Sequence, residues 1–321
     1  MCIGQSAQGN EVKKSARAYA PATVANAVSG FDVLGFALQE PGDIVICKRS
    51  DVPGIRIAPL TGAFSALPND PKLNTAGVAV QALMDAKNLA LGMELEIHKG
   101  VPIVGGMGSS ASSAVAAVVA VNELFDLQLT PQELLPFVLE SERAATGVPH
   151  ADNAAPSLLG GFTLIHSLDP LDIISLATPA AFSCALVHPH MHIKTRDARE
   201  ILPKTVPMEI ATKQMGHIAS FVAGLFQEDL DLIRRSLVDE LAEPHRGKLI
   251  PGYAEVKAAA LEQGALGCGI SGSGPSMFAL CPDADIAQKA GQAMEKAFLH
   301  ANMKSDLYIS AISQQGARIL D

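Results

Sequence analysis

One glycine-rich stretch constrains the fold of this chain more than any other feature. From Pro102 to Ser112 the sequence reads Pro-Ile-Val-Gly-Gly-Met-Gly-Ser-Ser-Ala-Ser, and an apolar, alanine-rich run follows it directly. Glycine lets backbone N–H groups approach a ligand closely because it has no Cβ. Ser109 and Ser110 fall in the first turn of the predicted helix 109–124, where unpaired amides and the helix dipole attract anions. The stretch therefore predicts a phosphate-binding turn, although a serine-capped loop without a ligand has the same pattern.

The size and charge of the chain exclude several classes of function. With 321 residues, 48% of them apolar, the chain is long enough for two domains or one large one. Its net charge of −9 and its lack of Trp argue against nucleic acid as a partner, because phosphate backbones require clustered Lys and Arg. A small anionic substrate remains compatible with this charge, since it needs only a local basic pocket.

Cysteine usage and the lengths of apolar runs bear on the compartment. The five cysteines are widely spaced and form no Cys-x-x-Cys motif, which favours reduced thiols in the cytoplasm over disulfides. The longest apolar run, near 114–121, is much shorter than the roughly 20 residues of a membrane span. Residues 1–14 are polar and lack the apolar core of a signal peptide, so we interpret them as a flexible tail. We expect a cytoplasmic protein without a membrane partner, and a homodimer is one assembly open to it.

Hydrophobic periodicity and capping signals predict alternating strands and helices. The best-defined helix has Thr130 as its N-cap, Pro131 at its first position and Glu133 at the capping-box position, and it ends at Gly147. Other helices are predicted at 74–87, 109–124, 195–202, 208–226, 229–240, 252–263 and 284–300. Strands are predicted at 20–23, 43–48, 93–98, 162–166, 182–187, 276–281 and 307–312. The Asp- and Pro-rich stretch 167–180 separates two halves that both mix strands and helices, which indicates two α+β domains.

Two motifs suggest other chemistry on weaker grounds. Gly267, Gly269 and Gly272 form a Gly-x-Gly-x-x-Gly pattern, but a predicted strand follows it, whereas a dinucleotide-binding fold requires a helix there. A dinucleotide-binding module is therefore the less favoured alternative. The three histidines of 188–192 alternate in a way that could present them on one side of a strand to a metal ion. A polar strand end is the preferred interpretation, because Pro189 interrupts a regular strand.

Three segments in order along the chain carry a family resemblance. The segments Pro21–Gly35, Pro102–Ser112 and Ile270–Phe278 resemble the three motifs of the GHMP small-molecule kinases. The resemblance implies an α+β fold, with an N-terminal domain like the second domain of ribosomal protein S5 and a ferredoxin-like C-terminal domain. On this basis we expect a tail at 1–14, an ATP-binding domain at 15–170 and a C-terminal domain at 171–321.

Within this superfamily, three further segments most resemble the homoserine kinases. They are Gly147–Pro156, Lys194–Pro203 and Glu243–Pro251. The resemblance implies transfer of the γ-phosphate of ATP to the side-chain hydroxyl of L-homoserine, giving O-phospho-L-homoserine on the route to threonine. A mevalonate-like or sugar alcohol is the alternative substrate.

The resemblance and the chemistry of phosphoryl transfer together assign the ATP side of the site. Transfer depends on positioning and charge neutralisation, so we expect Mg²⁺, which prefers oxygen ligands. A hydroxyl of Ser109 or Ser110 and a carboxylate are the candidate ligands; the resemblance places the carboxylate at Glu142, with Glu140 as a rival. The residues expected to bind ATP are Asn74, Pro102, Gly105, Gly106, Met107, Gly108, Ser109, Ser110, Ala111, Ser112, Gly272, Ser273 and Gly274, and those expected to hold the metal are Ser110 and Glu142.

The substrate side follows from the charges of an amino acid. A carboxylate matches the planar guanidinium fork, and the resemblance makes Arg199 and Arg246 its partners. Asp32 suits the ammonium group, and the amide of Asn26 suits the reacting hydroxyl. The residues expected to face the transferred phosphoryl group are His150, Asp152 and Asn153. The resemblance implies catalysis without a strong protein base, while Asp152 remains open as a general base and as a substrate contact.

Overall fold

The structure is a computed structural model that describes residues 13–59, 61–62, 67–103 and 105–321, so the predicted tail lies almost wholly outside it. The strands are β1 (Ser15–Ala25), β2 (Leu34–Arg49), β3 (Gly54–Ile57), β4 (Thr61–Gly62), β5 (Gly92–Lys99), β6 (Phe162–Leu168), β7 (Leu171–Leu176), β8 (Ser183–Pro189), β9 (Gly267–Ile270), β10 (Met277–Cys281), β11 (Ser305–Ala311) and β12 (Arg318–Leu320). The helices are α1 (Thr75–Ala86), α2 (Ser109–Leu124), α3 (Pro131–Thr146), α4 (Ala151–Leu159), α5 (Thr195–Glu200), α6 (Met208–Gln227), α7 (Leu230–Ser236), α8 (Glu243–Arg246), α9 (Tyr253–Glu262) and α10 (Ala284–His300).

A mixed eight-stranded sheet forms the first layer. Its central order is β12-β1-β2-β5-β3, with β4 beside β5 and the β6–β7 hairpin beside β2. Strand β5 buries every second side chain, as the alternation at 93–98 predicted. The boundary expected after residue 170 falls between β6 and β7, which pair with each other, and β12 pairs with β1. The sheet of the N-terminal half therefore takes in strands from the C-terminal half.

Helix α2 lies in the core between this sheet and helices α1 and α3. It begins at Ser109 and ends at Leu124, as predicted. Its buried side chains are almost all alanine, valine or serine, and such small side chains let neighbouring elements pack close to the helix axis. This packing fixes the N-terminus of α2 relative to the strands, and so fixes the glycine turn before it.

The predicted caps of α3 are confirmed. Thr130 Oγ1 accepts a hydrogen bond from the Glu133 N–H at 3.3 Å, and Glu133 Oε2 accepts one from the Thr130 N–H at 2.8 Å. Gly147 follows the helix in the left-handed region, with φ +82°. Helix α7 ends at Ser236, earlier than the predicted 240, because the Asp239 carboxylate accepts hydrogen bonds from following N–H groups and starts a new turn.

The second layer is an antiparallel sheet in the order β11-β8-β10-β9. Helices α9 and α10 pack on one of its faces. The other face joins the first layer through a cluster of rings, in which Phe36 lies 4.9 Å from Phe162 and 5.6 Å from Phe278 between ring centroids. The chain therefore has an α+β architecture of two sheets, and the candidate site lies where they meet.

Candidate functional site

One cleft of ≈ 290 Å³ brings most of the predicted site residues together. They are Asn26, Asp32, Asn74, Gly105, Gly106, Gly108, Ser109, Ser110, Glu142, His150, Asp152, Asn153, Arg199, Arg246, Gly272 and Ser273. These residues come from eight separate segments of the chain. The fold therefore places three glycine-containing turns and a group of charged side chains around a single space.

The glycine turn has the backbone shape that only glycine adopts readily. Gly106 and Gly108 have φ +76° and +67°, and Gly108 directly precedes α2. A Cβ on Gly106 would lie 2.3 Å from the Ser271 carbonyl oxygen, and one on Gly108 would lie 2.1 Å from Thr23 Oγ1. The turn therefore brings main-chain N–H groups to the N-terminus of a 16-residue helix, an arrangement that binds anions.

Some of the residues predicted to bind ATP direct their side chains elsewhere. Met107 and Ala111 are fully buried in the two cores, and the Ser112 hydroxyl donates to Asp43 at 2.6 Å. Pro102 is buried as well, and Gly274 packs near apolar side chains beyond the turn. The pattern of the stretch could not separate backbone contacts with a ligand from side chains that anchor the turn from behind.

The third glycine segment connects the other parts of the site. The Gly272 carbonyl accepts from Asn26 Nδ2 at 2.8 Å and from Arg246 Nη1 at 3.0 Å. Ser271 Oγ donates to the Gly106 carbonyl at 2.6 Å. Strand β9 leads into this turn and strand β10 follows it, so the glycines have a strand–turn–strand context rather than the strand–turn–helix context of a dinucleotide site.

Ser110 and Glu142 form a pair of oxygen donors at the edge of the cleft. Ser110 Oγ donates to Glu142 Oε1 at 2.6 Å, and Glu142 is only 4% exposed. Burial raises the pKa of this carboxyl, although the Ser110 hydroxyl partly opposes the shift. A cation beside the carboxylate would offset the loss of hydration, so the pair fits a hard divalent ion. The rival Glu140 is exposed and pairs with Arg143 at 3.3 Å.

A charged cluster occupies the other end of the cleft. Arg199 Nη1 lies 2.5 Å from Asp32 Oδ2. The Arg246 side chain is buried, and its Nε donates to the Ala198 carbonyl at 2.9 Å. The guanidinium groups of Arg199 and Arg246 lie 5.4 Å and 5.3 Å from the centre of the Phe31 ring. Arg246 thus supports the turn at Gly272 and helix α5 as well as facing the cleft.

Helix α4 supplies the last group of site residues. His150 is its N-cap residue, and Asp152 lies in its first turn, 4% exposed. Burial raises the pKa of Asp152 to about 7, with further increases from Asp32 and Glu142. Burial lowers the pKa of His150. Asn153 Oδ1 accepts from Thr23 Oγ1 at 2.8 Å, which fixes this amide beside the glycine turn.

Family comparisons agree with this geometry. Residues 74–161 match the GHMP kinases N terminal domain, and residues 221–300 match the GHMP kinases C terminal. The chain belongs to the GHMP kinase family. The predicted membership of this family and the α+β class are thereby confirmed, and the second and third motifs lie within the two matched ranges.

Several relatives of this GHMP kinase are similar along nearly its whole length. It is 48% identical over 320 residues to a homoserine kinase of Chlorobaculum tepidum, covering 96% of this chain and 98% of the relative. It is 47% identical over 320 residues to a homoserine kinase of Chlorobium phaeobacteroides, covering 96% and 100%. A crystal structure of homoserine kinase from Cytophaga hutchinsonii matches with a TM-score of 0.93 at 47% identity, covering 97% of this chain and 99% of that chain.

A buried ion pair lies behind the glycine turn of this GHMP kinase. Asp43 and Lys99 are 0% and 2% exposed and pair directly. Asp43 Oδ1 accepts from the N–H groups of Gly100 and Val101 at 3.0 and 3.1 Å, and Lys99 Nζ donates to the Ser109 carbonyl at 2.8 Å. Burial lowers the pKa of Lys99, while Asp43 opposes this shift. The pair thus connects both ends of the turn to the sheet.

We expect Asp43→Asn to lower the free energy of unfolding by about 3 to 5 kcal/mol, because it leaves a buried ammonium without its charged partner. Urea unfolding of the GHMP kinase measures this change. The exposed Lys48–Glu96 pair, at 2.6 Å, provides a control. Glu96→Gln should change the same free energy by less than about 1 kcal/mol. Equal effects of the two substitutions would contradict the role given to Asp43.

The raised pKa of Asp152 predicts a specific dependence of stability on pH. Its ordinary value is 3.8 and its folded value is about 7, so between these limits the folded chain holds a proton that the unfolded chain releases. The wild type should therefore lose stability relative to Asp152→Asn as pH rises from 4.5 to 7, by about 3 kcal/mol. Urea unfolding of both proteins at pH 4.5 and 7 measures the difference. A constant difference at the two pH values would rule out the buried carboxyl as its source.

Sequence reasoning missed several residues that shape the site. Thr195 lines the cleft, with Oγ1 3.4 Å from Ser273 Oγ; the sequence marked it as a helix start within the segment Lys194–Pro203 but gave it no role in the site. Thr23, Phe31 and Asp43 carry contacts that are distant along the chain, which local patterns do not show. Thr23 and Phe31 lie within the first family motif, and that membership was the available signal.

The remaining sequence motifs do not join this cleft. Of the three histidines of 188–192, His188 contacts Ser276 Oγ at 2.9 Å and His190 pairs with Asp306 at 3.0 Å. Within the described parts of the chain, no group of three or more His, Cys, Asp or Glu side chains could hold a metal ion. Among the same residues, no helix has the length and apolarity needed to cross a bilayer.

Proposed function

We propose that this GHMP kinase transfers the γ-phosphate of ATP to the side-chain hydroxyl of L-homoserine, giving O-phospho-L-homoserine for threonine biosynthesis. One observation carries the proposal: the same cleft holds an anion-binding glycine turn and, at its other end, a carboxylate and a guanidinium that match an amino-acid zwitterion. The near full-length similarity to homoserine kinases supports the choice of substrate. A neutral sugar would not use this pair of opposite charges.

The ATP side is supported by the shape of the cleft. The triphosphate lies over 105–110, where main-chain N–H groups and the start of α2 favour negative charge. Apolar side chains that line the same cleft suit the base, namely Leu67, Pro68, Leu73 and Ile103. Asn74 supports that wall, since its Nδ2 donates to the Pro68 carbonyl at 3.0 Å. Gly272 and Ser273, in the turn between β9 and β10 of the second layer, line the same cleft.

Mg²⁺ accompanies ATP in this proposal, held by the oxygens of Ser110 and Glu142. Bound there, it neutralises charge on the phosphate oxygens during transfer. The chain itself contributes a buried carboxylate already hydrogen-bonded to a hydroxyl, so little reorganisation is needed to receive the ion.

The substrate side is assigned by charge. Asp32 accepts from the substrate ammonium, and Arg199, with Arg246 beside it, donates to the carboxylate. Asn26 positions the hydroxyl end; its own amide is held by the Gly272 carbonyl and by the Asp32 N–H at 3.0 Å. His150, Asp152 and Asn153 face the transferred group.

Positioning supplies most of the acceleration in this scheme. The substrate hydroxyl attacks the γ-phosphorus, the bond to the ADP oxygen breaks, and the hydroxyl proton passes to the transferred phosphate. Asp152 is the alternative acceptor for this proton, because its pKa of about 7 suits a general base.

A substrate panel tests the proposed function. Purified protein with ATP and Mg²⁺ is offered L-homoserine, mevalonate and galactose, and each phosphorylated product is identified by mass. We expect phosphorylation of homoserine at a kcat/KM at least about 10-fold above mevalonate, which lacks the ammonium, and at least about 100-fold above galactose, which lacks both charges, since each lost charged contact costs about 1.5–3 kcal/mol. Preferred turnover of mevalonate or galactose would refute the assignment.

Two wider assignments accompany this proposal. The four antiparallel strands with α9 and α10 on one face support a ferredoxin-like C-terminal layer, and the first sheet with its helices supports the domain like the second domain of ribosomal protein S5.

The cysteines Cys47, Cys184, Cys268 and Cys281 are free and buried, which suits the cytoplasm. A homodimer stays a prediction.

A further inference from the structure

The two groups assigned to the substrate charges are paired with each other in the structure. Asp32 Oδ2 and Arg199 Nη1 lie 2.5 Å apart, and their side chains are 33% and 42% exposed. Both line the cleft. Asp32 has φ +60°, and its N–H donates to Asn26 Oδ1 at 3.0 Å, so its position is set by the loop. Arg199 belongs to the short helix α5 and lies beside the Phe31 ring.

A substrate that uses these two groups must separate them. A zwitterion offers an ammonium to Asp32 and a carboxylate to Arg199, so one internal ion pair is exchanged for two with the ligand. An alcohol with only one charge gains one pair, loses the internal pair and leaves the second side chain without its former partner. The internal pair therefore opposes single-charge ligands while a zwitterion overcomes it.

We propose that the Asp32–Arg199 ion pair competes with ligands for the substrate site and thereby selects for zwitterionic alcohols. The proposal rests on the proposed function, because it takes the ammonium and carboxylate contacts from that assignment. It adds a second role for each residue. Asp32 binds the substrate ammonium and also opposes alcohols that carry only a carboxylate. Arg199 binds the substrate carboxylate and also opposes alcohols that carry only an ammonium.

Single-charge analogues separate competition from simple binding. The probes are 4-hydroxybutyrate, which lacks the ammonium, and 3-aminopropan-1-ol, which lacks the carboxylate. If Asp32 only binds ammonium, Asp32→Asn leaves 4-hydroxybutyrate unaffected. If it also competes for Arg199, the same substitution should raise kcat/KM for 4-hydroxybutyrate by about two- to fivefold, the range expected for a partly exposed ion pair. Arg199→Gln should raise kcat/KM for 3-aminopropan-1-ol by a similar factor.

The natural substrate should respond in the opposite direction. With L-homoserine, each substitution removes a charged contact, so kcat/KM should fall by about tenfold or more. Product is measured by mass, so that ATP hydrolysis without transfer is not counted. Opposite signs for homoserine and the matched analogue are a result that a purely structural role for either residue would not produce.

A double variant separates competition from a general effect of charge. Removing a negative charge can favour an anionic ligand at a distance, even without an ion pair. In that case Asp32→Asn would improve 4-hydroxybutyrate in the Arg199→Gln background as well. Competition requires Arg199, so the improvement should vanish there. Arg196→Gln is the control on α5, because Arg196 is 79% exposed and pairs with Glu200 at 3.5 Å, away from the cleft.

The results that would overturn this proposal differ from the result that would overturn the proposed function. If the wild type does not phosphorylate homoserine, the proposed function fails. If it does, but Asp32→Asn leaves 4-hydroxybutyrate unchanged or weaker, or the gain persists in the double variant, only the competing ion pair is overturned. Thermal unfolding of every variant confirms that the proteins compared are folded.

Discussion

Gly108→Val is expected to lower kcat/KM for ATP by on the order of 10²- to 10³-fold. Gly108 has φ +67°, where a β-branched residue is strained, and an added Cβ would lie 2.1 Å from Thr23 Oγ1 and 2.8 Å from Asn153 Oδ1. The turn must then move, and the N–H groups that follow it lose their alignment with the phosphates. Steady-state kinetics with ATP varied at saturating homoserine measures this loss.

A second glycine separates loss of alignment from general backbone strain. Gly54 has φ +97° at the start of β3, and no atom lies within 4 Å of an added Cβ. Gly54→Val introduces comparable strain far from the cleft, so it should lower stability but leave kcat/KM for ATP within about twofold of wild type. If Gly108→Val retained turnover close to that of Gly54→Val, the glycine turn would not be the phosphate site.

Glu142→Gln is expected to lower kcat by about 10²-fold or more and to raise the Mg²⁺ concentration needed for half-maximal rate. The substitution preserves shape and leaves an oxygen to accept from Ser110, but it removes the negative charge. Burial raises the pKa of Glu142, so a neutral amide should not weaken the fold. Titration with Mg²⁺ at saturating ATP and homoserine, together with thermal unfolding, measures both effects.

The neighbouring glutamate provides the matched control. Glu140→Gln changes the same residue type on the same helix, but Glu140 is exposed and pairs with Arg143. Its rate and its Mg²⁺ requirement should stay within about twofold of wild type. A Glu142→Gln enzyme with the wild-type Mg²⁺ requirement would exclude this carboxylate as a metal ligand.

The sequence predicts best those elements whose signals are local. Thr130, Glu133 and Gly147 predict both ends of helix α3, and the helix begins and ends where expected. Helix α2 begins at the paired serines because the glycine before it adopts a left-handed conformation. By contrast, α4 is a nine-residue helix with Pro156 inside it, and most of its side chains are buried against other elements. Tertiary packing stabilises such a helix, so its own residues do not reveal it.

In the candidate site as well, the sequence predicts residues that have a local signal and misses contacts that depend on tertiary structure. The glycine turn and the three family motifs identify most of the cleft from local sequence. The family resemblance adds Glu142, and the segment Lys194–Pro203, which resembles the homoserine kinases, adds Arg199. The pairing of Asp43 with Lys99 joins residues 56 positions apart, and that of Asp32 with Arg199 joins residues 167 apart. Neither pair has a local signature, because each depends on how strands and turns meet in the folded chain.

A structure of the protein with Mg²⁺ and a non-hydrolysable ATP analogue tests the central claim most directly. We predict that phosphate oxygens lie within about 3 Å of main-chain nitrogens in 106–110, with Mg²⁺ beside Ser110 and Glu142. Phosphates bound elsewhere, with no ligand density at the start of α2, would contradict the account.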